Sequence, residues 1–287
     1  MLSIDRILFP TDRGEGAAPA LAHAALLAEK HGAVLEVFHV VGVAGAPHRT
    51  LDLAQIASRA RIEEVERAGD SALRTILAHA EETDADVLVM ATHGRRGIDR
   101  LLIGSIAEHV VRAAPCAVLV VGPRAEAPPA AGARILVPID FSAHSEGALR
   151  HAVGLAEGYD ATVDLVHAVH VPTLPPGYGV VPLGADRTPA FVEGSRSALA
   201  GLAERHVPPA RRGDIVVEVG HPADVILSTI DARHPTLVVL ATHGQTALQR
   251  LAMGSIAEYV VRRAHCAVFT VRSFGKSLLP GADAPGD

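Results

Sequence analysis

Residues 91–121 read ATHGRRGIDRLLIGSIAEHVVRAAPCAVLVV, and residues 241–271 read ATHGQTALQRLAMGSIAEYVVRRAHCAVFTV. The two align without a gap at an offset of 150, and 19 of 31 positions are identical, so the chain carries an internal duplication. Each copy begins where an apolar run (VLVMA, then LVVLA) gives way to Thr-His-Gly, and nine residues later Gly-Ser opens a helical pattern. A strand, a glycine turn and a fresh helix N-terminus make a site for an anion, because unpaired backbone N–H groups and the helix dipole converge there. Each half is therefore expected to hold a nucleotide phosphate.

Working outward, residues 6–12 (RILFPTD) and 134–140 (RILVPID) are apolar runs ending in a Pro-x-Asp turn, the pattern of a buried parallel strand. Helical stretches follow at about 15–31 and 145–158, with Gly32 and Gly158 as expected stops. The next strands are expected at 34–40 and 162–168. Strand, helix, strand in each half demands a parallel sheet with right-handed crossovers. The halves then diverge, since the alignment offset grows from 128 to 150. The second half adds a Pro/Gly-rich loop at 172–189, a helix near 190–206 and a strand at 214–220. The first offers helix-like material at about 50–67, and no strand is expected between 45 and 85. Helices at 71–82 and 222–233 lead back into the duplicated segment.

The predicted fold is α/β: two doubly wound parallel-sheet domains of Rossmann-like type in tandem, the first one shortened. The expected boundaries are 1–122, a Pro/Ala-rich linker 123–133, 134–272, and a loose tail 273–287. A length of 287 residues suits two domains. Apolar residues make up 49% of the chain, yet no run approaches the roughly 18 needed for a membrane span. The N-terminus lacks signal-peptide order, so a soluble, cytoplasmic protein is expected. A net charge of −6 with 3% aromatics and no Trp argues against a nucleic-acid surface. Cys116 and Cys266 occupy one repeat position in short apolar runs and read as buried free thiols.

Candidate chemistry gathers at the strand ends. Gly94, Gly104 and Ser105, with Gly244, Gly254 and Ser255, allow close backbone approach to a phosphate. Ser-x-x-Glu equally fits a capping box, with Glu108 and Glu258 returning the bond. Asp12 and Asp140 are placed to accept from an adenine amine or a ribose hydroxyl, or to cap the turn that follows. His93 and His243 flank the glycine turn, whereas His39 and His167 read as packed or backbone-bonded. A Gly-Lys-Ser at 275–277 lacks the earlier glycine of a P-loop, and Gly14 and Gly16 lack the third glycine of a dinucleotide fingerprint.

These residues resemble the universal stress protein family in its tandem form, over 4–121 and 132–272. The resemblance rests on ILFPTD and ILVPID, the strand-end histidines of VFHVV and LVHAV, and the DVLVMATHG…LLIGSIAEHVVRAAPCAVLVV block. The family's ATP-binding motif, Gly-x2-Gly-x9-Gly-(Ser/Thr), maps to Ala91, Gly94, Gly104, Ser105 and to Ala241, Gly244, Gly254, Ser255. Alanine replaces the first glycine in both copies.

The resemblance implies a stress-response regulator that binds ATP, with Mg, or AMP or ADP. The implied nucleotide-binding residues are Pro10, Thr11, Asp12, Val40, Ala91, His93, Gly94, Gly104, Ser105 and Ile106. In the second domain they are Pro138, Ile139, Asp140, Ala168, Ala241, His243, Gly244, Gly254, Ser255 and Ile256. It further implies that the last strands of the two domains pair within the chain, with a homodimer as the wider assembly. No nucleic acid and no membrane are expected as partners. No general base or Walker lysine is evident, so a slow ATPase and a nucleotide-free scaffold stand as alternatives. The second half is expected to be the better site, because the first lacks a strand.

Overall fold

The structure, a computed structural model, describes residues 2–42, 59–92, 104–122, 124–125, 128, 132–170, 188–243, 253–272 and 276–281. The first half contains β1 (Arg6–Pro10), α1 (Ala18–His31), β2 (Val34–Val41), β3 (Arg61–Ala68), α2 (Ala72–Glu82), β4 (Val87–Ala91), α3 (Ser105–Ala113) and β5 (Ala117–Val121). The second contains β6 (Arg134–Pro138), α4 (Ala143–Tyr159), β7 (Thr162–Val169), α5 (Thr188–His206), β8 (Arg212–Val219), α6 (Pro222–Arg233), β9 (Leu237–Ala241), α7 (Ser255–Arg263) and β10 (Ala267–Val271). Among the described residues ten strands form one sheet, in the order β3-β2-β1-β4-β5-β10-β9-β6-β7-β8. Pairing is parallel within each half and antiparallel only where β5 meets β10, with Leu119 opposite Phe269.

The sheet is buried on both faces, which is why its central strands are unbroken apolar runs. Alternate residues of β1 go to opposite sides. Ile7 and Phe9 join the core beneath α1 and α4, while Leu8 joins the core beneath α2, α3, α6 and α7. Each such side chain contributes about 1.5–3 kcal/mol on burial. The halves meet on both faces. His23 Nδ1 on α1 lies 2.8 Å from the Tyr159 hydroxyl on α4, and both residues are buried. On the other face Arg112 of α3 reaches Glu258 of α7 at 2.7 Å, and Arg262 reaches Glu108 at 3.3 Å. Half-exposed pairs of this kind are worth about 0–1 kcal/mol each, so they orient the two helices more than they hold them.

Three expectations are corrected. The first half does have its third strand. Arg61–Ala68 pairs in parallel with β2 along its full length, from Val34 opposite Arg61 to Val41 opposite Ala68. Five of its eight residues are charged, which reads as helix in isolation. An edge strand tolerates such charge, and charge there discourages pairing with foreign strands. Only the partner β2 supplies the ladder that decides the matter. Gly158 is not a helix stop, because α4 runs through it to Tyr159. The left-handed cap is Asp160 (φ +48), whereas Gly32 (φ +67) does cap α1. The tail is not loose at 276–281. Lys276 Nζ lies 2.7 Å from carboxylate oxygens of both Asp84 and Asp86. Leu278 is buried, and its carbonyl accepts from Ser3 N at 2.8 Å.

Candidate functional site

In the first half β2 and β4 flank β1 on opposite sides, so the chain reverses direction between β1 and β4; in the second it does so between β6 and β9. The crevice outside the carboxyl ends at such a switch point is where doubly wound sheets take ligands. Asp12 and Asp140 follow β1 and β6, while Thr92 follows β4 and Thr242 and His243 follow β9. The topology therefore brings the two groups of candidates to the same crevice in each half.

The Pro-x-Asp turns are built alike. Thr11 N donates to Phe38 O at 2.9 Å and Ile139 N to Val166 O at 2.8 Å, so each turn continues the pairing with the second strand. Asp12 Oδ1 accepts from Gly14 N at 2.9 Å. Asp140 Oδ1 accepts from Ser142 N at 3.0 Å and from its hydroxyl at 2.6 Å. Both carboxylates thus close an Asx turn. The next residue lies in the left-handed region in both halves, Arg13 at φ +60 and Phe141 at φ +61. Non-glycine residues hold that geometry only when neighbours enforce it. Arg13 is held by Glu66 at 2.6 Å on β3, and Phe141 by the His167 ring at 4.7 Å.

His39 and His167 are backbone-bonded, as expected. Their Nδ1 atoms lie 2.9 Å from Thr11 O and 2.7 Å from Ile139 O, tying the second strand to the residue ahead of the aspartate. Val40 is buried beside this bond, while Ala168 is half-buried.

On the opposite side of the crevice, Thr92 N and Thr242 N donate to the ends of the last strands, Val121 O and Val271 O. Their carbonyls each accept from a glycine, Gly104 N and Gly254 N, at 2.7 Å. Ala91 and Ala241 close the preceding strands, half-buried. Gly104 and Gly254 occupy the N-cap position, and a glycine has no side chain to cap the helix. The expected capping box is therefore not formed. Ser105 and Ser255 are the first helical residues, both exposed, and Glu108 and Glu258 are drawn to arginines instead. The first helical bonds start at Glu108 N and Glu258 N, each to its cap glycine. The three preceding N–H groups, on Ser105, Ile106 and Ala107 and on their counterparts from Ser255, have no intrahelical acceptor.

His93, Gly94 and Gly244 lie outside the described residues. His243 is described and half-buried, with Nδ1 2.9 Å from Thr242 Oγ1. Two features escaped the sequence reading. The structural part of Thr92 and Thr242 depends on a backbone bond to a glycine twelve residues on. His144, on the first turn of α4, sits with its ring centroid 6.4 Å from that of His243. Among the described residues no group of three or more His, Cys, Asp or Glu is arranged to hold a metal. No described helix is long and apolar enough to cross a membrane.

The model of the universal stress protein family matches residues 3–60, 43–122 and 133–272. A universal stress protein of Methanocaldococcus jannaschii is 29% identical over 141 residues, covering 48% of this chain and 81% of that protein. One from Mycobacterium tuberculosis is 32% identical over 200 residues, covering 66% of this chain and 62% of that protein. The fold is similar to that of a functionally unknown protein of Pseudomonas aeruginosa, with a TM-score of 0.72, 18% identity, and 94% and 93% of the two chains covered. It is also similar to that of an Archaeoglobus fulgidus universal stress protein, with a TM-score of 0.62, 18% identity, and 93% and 98% covered. Two doubly wound halves, two copies of the glycine-capped helix and a family match across both halves lead to one assignment: the chain belongs to the universal stress protein family.

Proposed function

We propose that each half binds an adenine nucleotide, ATP first and ADP or AMP as alternatives, at its switch-point crevice. The chain then acts as a cytoplasmic stress-response regulator whose conformation or partner binding follows the bound nucleotide. One observation carries this reading: in both halves a helix with a glycine at its N-cap and an exposed leading serine opens onto the crevice that also holds the Asx turn. The phosphates belong at Ser105 or Ser255 and the two N–H groups that follow, where the helix dipole favours negative charge. Adenosine belongs between Asp12 and Val40, or between Asp140 and Ala168. Mg would accompany the triphosphate on its solvent side.

Binding without efficient hydrolysis is the favoured chemistry. The chain's two lysines are Lys30, in the last turn of α1, and Lys276, held by Asp84 and Asp86. Neither is placed to neutralise charge developing on a transferred phosphoryl group. The domain division 1–122 and 134–272 and a homodimeric assembly belong to the same proposal. Titration calorimetry of the whole chain with Mg·ATP tests it, with Gly104→Val and Gly254→Val as variants. Saturable heat that each variant reduces supports the reading. No heat and no thermal shift at millimolar ATP sinks it, and phosphate release above buffer background would replace it with the ATPase reading.

A further inference from the structure

The two crevices are not equivalent. In the second, His144 on α4 and His243 after β9 face one another from opposite sides of the switch point, with ring centroids 6.4 Å apart and planes tilted by 53°. In the first, the turn alignment that matches Asp12 to Asp140 puts Gly16 where His144 stands. The duplication has therefore placed an imidazole on the helix side of one crevice only.

The location of His144 is informative. It lies in the first turn of α4, behind the Ser142 cap, whose hydroxyl accepts from Ser145 N at 3.1 Å. A basic side chain is disfavoured at a helix N-terminus, because the exposed N–H groups carry positive charge. An anion in the crevice would meet both the dipole and the ring. His243 has a matching chemical feature. The Thr242 hydroxyl at 2.9 Å can donate to Nδ1, which leaves the ring proton on Nε2 as a donor. Two ring donors from two elements can then bracket one phosphate group.

From this juxtaposition we infer that His144 and His243 form a two-imidazole clamp on the nucleotide's phosphate chain, making the second half the tighter site. The inference rests on the nucleotide reading above and adds the residues that set the two sites apart. The clamp recognises phosphate and not the base, so it acts on ATP, ADP and inorganic tripolyphosphate alike and leaves adenosine untouched.

Calorimetric titration of the whole chain with Mg·ATP, tripolyphosphate and adenosine tests this, using wild type, His144→Ala and Gly16→His. Wild type is expected to show two ATP sites of unequal affinity. His144→Ala should weaken the tighter one for ATP and tripolyphosphate about tenfold, the loss expected for a hydrogen bond to a charged group. Gly16→His should narrow the gap from the other side. Adenosine affinity serves as the folding control and should stay within about twofold in every variant. If wild type binds ATP but His144→Ala changes nothing, or if it weakens adenosine as much as ATP, the clamp is overturned and the nucleotide reading stands. If wild type does not bind ATP, both fall.

Discussion

The carbonyl oxygen of Thr92 lies 2.7 Å from where a Cβ on Gly104 would be. The glycine is required by this close approach and not by its dihedrals, since its φ of −63° suits any residue. The counterpart in the second half is looser, with 3.4 Å between a Gly254 Cβ and Thr242 O. Gly104→Ala is therefore expected to destabilise the chain by about 1–3 kcal/mol, as overpacking against rigid backbone does. Gly254→Ala should cost clearly less. Urea denaturation of the two variants checks the order, and equal costs would show that the two turns relax alike.

The tail makes a second case. Leu278 is buried against the core that α1 and α4 share, and its N–H and carbonyl bond to His151 and Ser3. Leu278→Ala is expected to cost about 2–4 kcal/mol, the range for emptying a buried leucine site. A loose tail would give no change in the denaturation midpoint.

Leu2 and Leu278 are each bonded to a histidine, and this sets a pH dependence. His31 Nδ1 lies 3.1 Å from Leu2 O, and His151 Nε2 accepts from Leu278 N at 3.4 Å. Burial holds both rings below the ordinary value of 6.5. For His31 the Leu2 carbonyl and Glu157 oppose that shift and the amino terminus adds to it; for His151 the Gly147 carbonyl opposes it and Arg150 adds to it. The unfolded chain thus binds more protons than the folded one just below pH 6.5, so stability rises with pH there. It should be fully present above about pH 6.5 and lost as pH falls toward the lowered folded values. Denaturation midpoints between about pH 8 and 5 should show this loss, and His31→Gln with His151→Gln should flatten it. An unchanged slope in the double variant would place the titration elsewhere.

Burial pushes the thiols of Cys116 and Cys266 up to about 12. At neutral pH almost no thiolate exists to react. Neither cysteine is expected to consume iodoacetamide or a disulfide reagent in the folded chain, and both should react in denaturant. Labelling of either one under native conditions would count against the buried placement.

Much of the fold was legible because its signals are local. Ile7, Leu8 and Phe9 are consecutive and all buried, and a run of that kind points to a strand covered on both faces. Gly32 ends α1 in the left-handed region, and both cysteines are buried free thiols, each immediately ahead of a short apolar strand. The candidate site was half legible. His39 and His167, expected to be packed or backbone-bonded, are bonded to backbone carbonyls. The serine of Gly-Ser-Ile-Ala-Glu suits a cap by residue type, but the glycine takes that position in both copies, and at Gly104 a Cβ would collide with the Thr92 carbonyl. Nothing in the sequence around His144 announces His243 a hundred residues later.

By itself the sequence determined the duplication, the parallel α/β order of each half and the helix starts at Ser105 and Ser255, because periodicity and repetition are properties of neighbouring residues. Tertiary structure decided the rest. Arg61–Ala68 is a strand because β2 offers it a ladder, against its charged composition. Lys276 and Leu278 are anchored because Asp84, Asp86 and Ser3 lie where the chain returns. His144 meets His243 because β6 and β9 are neighbours at the switch point. Each of these outcomes depends on a partner distant in the chain, and the free energy that selects it exists only once the sheet has closed.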